Sequence, residues 1–208
     1  MSNKTSEKCR LSKLEHELLY QSFRFESMVE FREYLLALIG KIKQDNFDDS
    51  LCDELKKTFL REIKKYKAES VNKYKESLAA REQFDELCGE GSKESDLPKS
   101  ILDLSSLAVD SISETEETEK CYLKKLYLCE EFDKFIKKYS KKLDAAESES
   151  QKSFLNELLD VLSSQLPEEE QEKDRLYRVF KEKETKAFEE IAELMDELEM
   201  FSRKQPEK

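Results

Sequence analysis

The sequence predicts an all-α protein: an N-terminal helical hairpin head that completes a bundle with a partner, followed by a long coiled-coil stalk. Three observations predict it. The 208 residues include only 3 Gly and 3 Pro, too few to punctuate a sheet, barrel or sandwich, which needs a turn every 8–12 residues or so. Charged residues make up 41% and hydrophobic residues 38%, which favours a narrow apolar stripe on long charged helices over a broad core. Twelve Phe and eight Tyr separate the chain from disordered sequences of similar charge, which are poor in aromatics.

Start signals then place the elements. Ser12-Lys13-Leu14-Glu15 fits a capping box and opens a short helix to about Tyr20, so 1–26 is an N-terminal segment. Ser27-Met28-Val29-Glu30 fits a second box, after which Met28, Phe31, Leu35, Leu38 and Ile42 step by helical spacing. Asp45 to Ser50 reads as a turn. A further helix, striped by Leu55, Phe59, Ile63, Tyr66, Tyr74 and Leu78, runs to Gly89 as its C′ residue. The hairpin head thus spans 27–90. Residues 91–113 form a linker and a short apolar helix around Ile101, Leu102, Leu104 and Leu107, with Gly91 and Pro98 at its start.

Ser113-Glu114-Thr115-Glu116 fits another capping box and opens the stalk, and the acidic first turn complements the helix dipole. The stalk spans 114–203, with Phe132, Ile136, Leu143, Leu158, Leu162, Ile191, Leu194 and Leu198 as its coiled-coil core. Pro167, followed by Glu168-Glu169-Glu170, predicts a break near 167. Residues 204–208 are a tail. A stripe this narrow is rarely covered by one chain, which implies other coiled-coil subunits in an obligate hetero-oligomer.

Little here supports catalysis. One histidine, His16, cannot build a paired-His metal site, and Gly at 40, 89 and 91 permits no phosphate-cradling loop. No cofactor, metal or small-molecule substrate is expected, and the chain reads as a non-enzyme. The five Cys are widely spread with no C-x-x-C, which suggests small buried hydrophobes in a reducing compartment. Met1-Ser2-Asn3-Lys4 lacks a signal peptide's apolar region, and the longest apolar run, 34–39, is far short of a membrane span.

Two segments stand out as partner-binding candidates. Lys57, Arg61, Lys64 and Lys65 make 56–75 locally basic, either as an anchoring face or simply as the solvated side of a helix. Tyr20, Phe23 and Phe25 flank Arg24 just before the first bundle helix, either as a plug closing the head or as a docking lip. A net charge of -11 disfavours direct DNA binding.

Tyr20-Gln21-Ser22-Phe23-Arg24-Phe25-Glu26-Ser27, ahead of an apolar helix from Met28, resembles the opening of the Mis-twelve kinetochore subunit family. The order of short helix, hairpin, Leu97-Pro98 loop and long coiled coil is similar too. Arg24 and Glu26-Ser27 depart from the Gly or Pro common around that motif, as in a divergent member. The resemblance implies a subunit of the four-protein complex that links centromeric chromatin to the microtubule-binding outer kinetochore during chromosome segregation. It further implies a nuclear, centromeric location and an inner-centromere linker protein docked at the head, with Tyr20, Phe23 and Phe25 as the motif residues. The alternative is a cytoplasmic coiled-coil module of a tethering complex or a membrane surface.

Overall fold

A computed structural model describes residues 2–42, 49–88 and 97–204. Residues 45–48 of the turn expected at 45–50, the linker at 89–96 and residues 205–208 of the tail lie outside them, while Asp49 and Ser50 already belong to a helix. The described residues form four α-helices and no strand: α1 (Ser2–Ile42), α2 (Asp49–Cys88), α3 (Lys99–Asp144) and α4 (Glu149–Lys204). The chain is all-α. No helix among the described residues is long and apolar enough to cross a membrane.

The helices are fewer and longer than the capping signals suggest. Ser12 and Ser27 lie inside α1, so residues 20–27 are helical and not a junction. Ser27 does no capping there. It is buried, and its hydroxyl faces the Phe23 carbonyl at 3.1 Å and the Lys124 carbonyl of α3 at 2.8 Å. A serine inside a helix finds its acceptor one turn back or on a neighbour, and a local pattern cannot separate that from a cap. Ser113 likewise sits within α3, which starts at Lys99 and leaves no separate short helix at 101–107.

The break expected near 167 falls elsewhere. Pro167 lies inside α4, while the chain turns between Asp144 and Glu149. A mid-helix proline forfeits one hydrogen bond and costs about 3 kcal/mol, and the packed run ahead of it holds the helix through that loss. Leu158 and Leu162 are fully buried there, and Leu166 is packed against the same core. The actual restart carries its own signal. Ser148-Glu149-Ser150-Gln151 is a capping box in which the Gln151 amide donates to Ser148 Oγ at 3.1 Å.

The chain divides into two compact units, Met1–Gly89 with Leu123–Lys173, and Glu90–Tyr122 with Asp174–Lys208. In the first, α1 and α2 run antiparallel, as the pairs Arg81–Glu15, Ser22–Ser70 and Arg32–Glu62 require. The stripe of this hairpin is met by the chain's own α3 and α4. Phe31, Leu35 and Ile39 of α1, Cys52 and Phe59 of α2, Phe132 and Phe135 of α3, and Phe154, Leu158 and Leu162 of α4 share one core. Phe31 sits at its centre, with ring centroids 4.7 Å from Phe132 and 5.6 Å from Phe135.

The second unit is a two-helix layer. Residues of α3 before 123 run antiparallel to residues of α4 after 173: Tyr122 stacks on Phe180 at 6.1 Å and meets Tyr177 at 5.2 Å, while Glu114 pairs with Lys183. Its seam holds Ile101, Ala108, Ser111, Phe180 and Ala187. Of the expected coiled-coil core, Phe132, Leu158 and Leu162 are buried and Ile136 and Leu143 are packed against that core in the first unit. Ile191, Leu194 and Leu198 are half-buried in the second.

Among the cysteines, Cys52 and Cys129 are buried as expected, but Cys9, Cys88 and Cys121 are exposed. They sit at positions where the helix turns a polar side outward, which spacing in the sequence does not mark.

Candidate interaction faces

The aromatic segment packs inward. Phe23 is 7% exposed, with the Lys124 ammonium 5.7 Å from its ring centroid. Phe25 is half-buried against Tyr66, ring centroids 6.0 Å apart. Tyr20 meets His16 edge-on at 6.3 Å, and the exposed His16 places Nδ1 2.8 Å from the Ser12 carbonyl. Between them, Arg24 is exposed and reaches Glu130 at 3.7 Å. Phe23 and Phe25 therefore act as plug residues in this structure. The four cations Lys57, Arg61, Lys64 and Lys65 are all exposed on α2. Phe23 is thus buried and Phe25 half-buried, whereas the four cations face solvent.

Beside the core lies a charged centre that composition could not reveal. Arg32 Nε is 3.0 Å from Glu62 and its Nη1 is 2.6 Å from Glu131, which is 6% exposed. Burial works against the guanidinium charge, but the hydrogen bonds it donates to Glu131 and Glu62 outweigh it and hold the group above its ordinary pKa. With Phe59, Phe135 and Tyr139 these residues line a small open recess. Burial pushes the Tyr139 hydroxyl up to about 12. Every charge in this triad is matched by a neighbour, so it closes the fold more readily than it offers a proton-transfer pair. No group of His, Cys, Asp and Glu that could hold a metal occurs among the described residues.

Two exposed apolar faces stand out among the described residues. On α2, Leu60, Val71, Tyr74 and Leu78 are 52%, 52%, 48% and 42% exposed. At about 100° per residue these four fall along one line, and Lys56, Lys57, Lys64, Lys67 and Lys75 fall beside them. Glu62, Glu69 and Glu76 lie on the opposite side of the helix. Sequence reasoning found the basic stretch but missed its apolar half, because Tyr74 and Leu78 continue the core spacing and read as buried.

The second face belongs to the two-helix unit. Leu102, Val109 and Ile112 of α3 and Phe188 and Met195 of α4 are exposed, Phe188 at 65%. Helical register and the antiparallel pairing put all five on the same side of the layer. The stretches 100–117 and 187–200 that carry them hold eleven acidic residues and no basic one. The chain has 48 acidic and 37 basic residues, so the remainder balances at 37 of each sign. An acidic excess equal to the whole net charge of -11 therefore lies on these two stretches, distributed around all sides of their helices.

Comparison of the chain with protein-family models, with curated proteins and with solved structures finds no match.

Proposed function

We propose that the protein is a non-enzymatic scaffold, a helical subunit of a multi-protein assembly. The observation that carries this reading is the pair of exposed apolar stripes, one edged by lysines and one carried on acidic stretches, on helices whose inward faces are already packed. Apolar patches of this kind mark association surfaces when they are contiguous and polar-rimmed. The finer reading is a kinetochore subunit with a hairpin head and a coiled-coil stalk, linking centromeric chromatin to the microtubule-binding outer kinetochore. The aromatic segment 20–27 and the order of helices support it. In that reading the α1–α2 hairpin is the head and the two-helix unit belongs to the stalk.

The test is affinity purification of the tagged full chain from dividing cells, followed by mass spectrometry. Recovery of three small coiled-coil proteins and a centromere protein is expected, and their absence removes the kinetochore placement. A second reading, a module of a membrane surface, is favoured by the lysine-edged face of α2. Co-sedimentation with vesicles rich in anionic lipid decides it, since indifference to lipid charge ends that reading.

A further inference from the structure

We infer that the protein associates with itself head to tail: the acidic apolar face of the two-helix unit in one copy receives the lysine-edged apolar face of α2 in another. This goes beyond the scaffold reading and does not depend on any kinetochore placement.

Three observations carry it. The two regions are opposite in sign: five lysines lie beside the α2 line, and the stretches that carry the other face hold eleven acidic residues, on all sides of their helices, and no basic one. Glu116 shares the apolar side of α3, and Glu189 and Asp196 edge that of α4; all three are exposed. The lengths agree as well. The α2 line from Leu60 to Leu78 spans about 27 Å and the acidic run 100–117 of α3 about 26 Å, at 1.5 Å per residue. Third, each face lacks what the other supplies. A two-helix layer leaves Val109 and Phe188 at 61% and 65% exposure, and a third amphipathic helix laid along it completes the apolar seam that two helices cannot close.

The charges also select among occupants. Pairing this face with its own copy brings two strongly acidic helix stretches together, and an anionic bilayer repels them in the same way. Since the other residues balance in sign, no long-range charge opposes the approach of α2. The contact uses two different patches, so it is heterologous. It closes if two copies dock reciprocally and otherwise continues from copy to copy.

Sedimentation velocity of the purified full chain tests this. Dimers or larger species should form at low salt and fall apart when salt is raised from about 50 mM to about 500 mM. Phe188→Ser with Met195→Ser, and separately Leu60→Ser with Val71→Ser, should each weaken association about tenfold or more. These positions are exposed, and unchanged circular dichroism and urea midpoints verify that both variants fold. The decisive step is to mix the variants. One keeps only the α2 face and the other only the acidic face, so the mixture should form a one-to-one complex that neither forms alone.

A wild-type chain that stays monomeric at low salt overturns the proposal. So does association that survives in both variants, or a mixture that stays apart. Loss of binding to phosphatidylserine vesicles in Leu60→Ser with Val71→Ser, without any wild-type self-association, overturns it in favour of a lipid surface for α2.

Discussion

The first unit and the second take their helices from the same chain and reach opposite solutions to burial. Four helices around Phe31 bring that ring to zero exposure, together with Leu35, Ile39, Leu158 and Leu162. Two helices in the second unit bury chiefly small side chains along one seam, Ala108, Ser111 and Ala187, and leave Val109, Phe188 and Met195 above 60% exposure. The difference follows from geometry. A helix in a four-helix bundle has two neighbours across its apolar arc, whereas a helix in a pair has one, so only a narrow stripe is covered. Apolar residues beside that stripe are left available for association.

The comparison fails if the first unit tolerates truncation as readily as the second. Phe31→Ala removes a fully buried ring and should cost about 3–5 kcal/mol, measured by urea denaturation. Phe188→Ser, at the most exposed large apolar side chain, should shift the same midpoint by no more than about 0.5 kcal/mol. Similar losses at the two sites would mean that the second unit is covered after all.

Next in size is the buried ion triad. Glu131→Ala leaves Arg32 with Glu62 as its one remaining carboxylate in that triad, and should destabilise by about 3 kcal/mol. Replacing Arg32 by Met and Glu131 by Leu together should cost less than the sum of the single changes, which a double-mutant cycle reads directly.

Ser148→Ala removes the cap at the start of α4 and should cost about 1 kcal/mol, whereas Ser113→Ala, inside α3, should be close to neutral. Equal effects would restore the expectation that Ser113 opens a helix.

The smallest expected effects are on pH. The Tyr139 hydroxyl is held at about 12 by burial, above its ordinary value of 10. The folded state therefore keeps its proton after the unfolded state has lost it. The stabilisation is fully present below pH 10 and falls away as pH rises from about 10 to about 12. Tyr139→Phe should flatten that part of the alkaline stability curve. In the second unit the sign is reversed: Lys183 holds the Glu114 carboxyl below its usual range, so its contribution disappears as pH falls through that lowered value. Glu114 is exposed, and NMR titration of its carboxyl is the suitable measurement.

Particular residues show how much of this was legible in the sequence. The helical class was, because six Gly and Pro in 208 residues leave few other backbones open. So were the core positions Phe132, Leu158 and Leu162, whose spacing is helical and whose neighbours are charged. The capping boxes at Ser12, Ser27 and Ser113 misplaced helix ends, since serine serves equally well as a mid-helix group bonded one turn back. The box that does cap a helix, at Ser148, has the same form and nothing local distinguishes it. Of the candidate interaction residues, the α2 cations were visible as charge. Their apolar companions Leu60 and Val71 were not, because burial depends on which helix lies opposite. Phe23 and Phe25 stood out as a motif, yet only the positions of Lys124 and Tyr66 show that they pack inward.

What the sequence determined alone is what depends on neighbours along the chain: long amphipathic helices and a strongly acidic composition. Tertiary structure decided the rest. It put the turn at 145–148 instead of Pro167, closed the hairpin's stripe with α3 and α4, and brought the two most acidic stretches together in one two-helix layer. Periodicity states that a helix has an apolar side, whereas which surface covers that side is set by contacts between residues tens of positions apart.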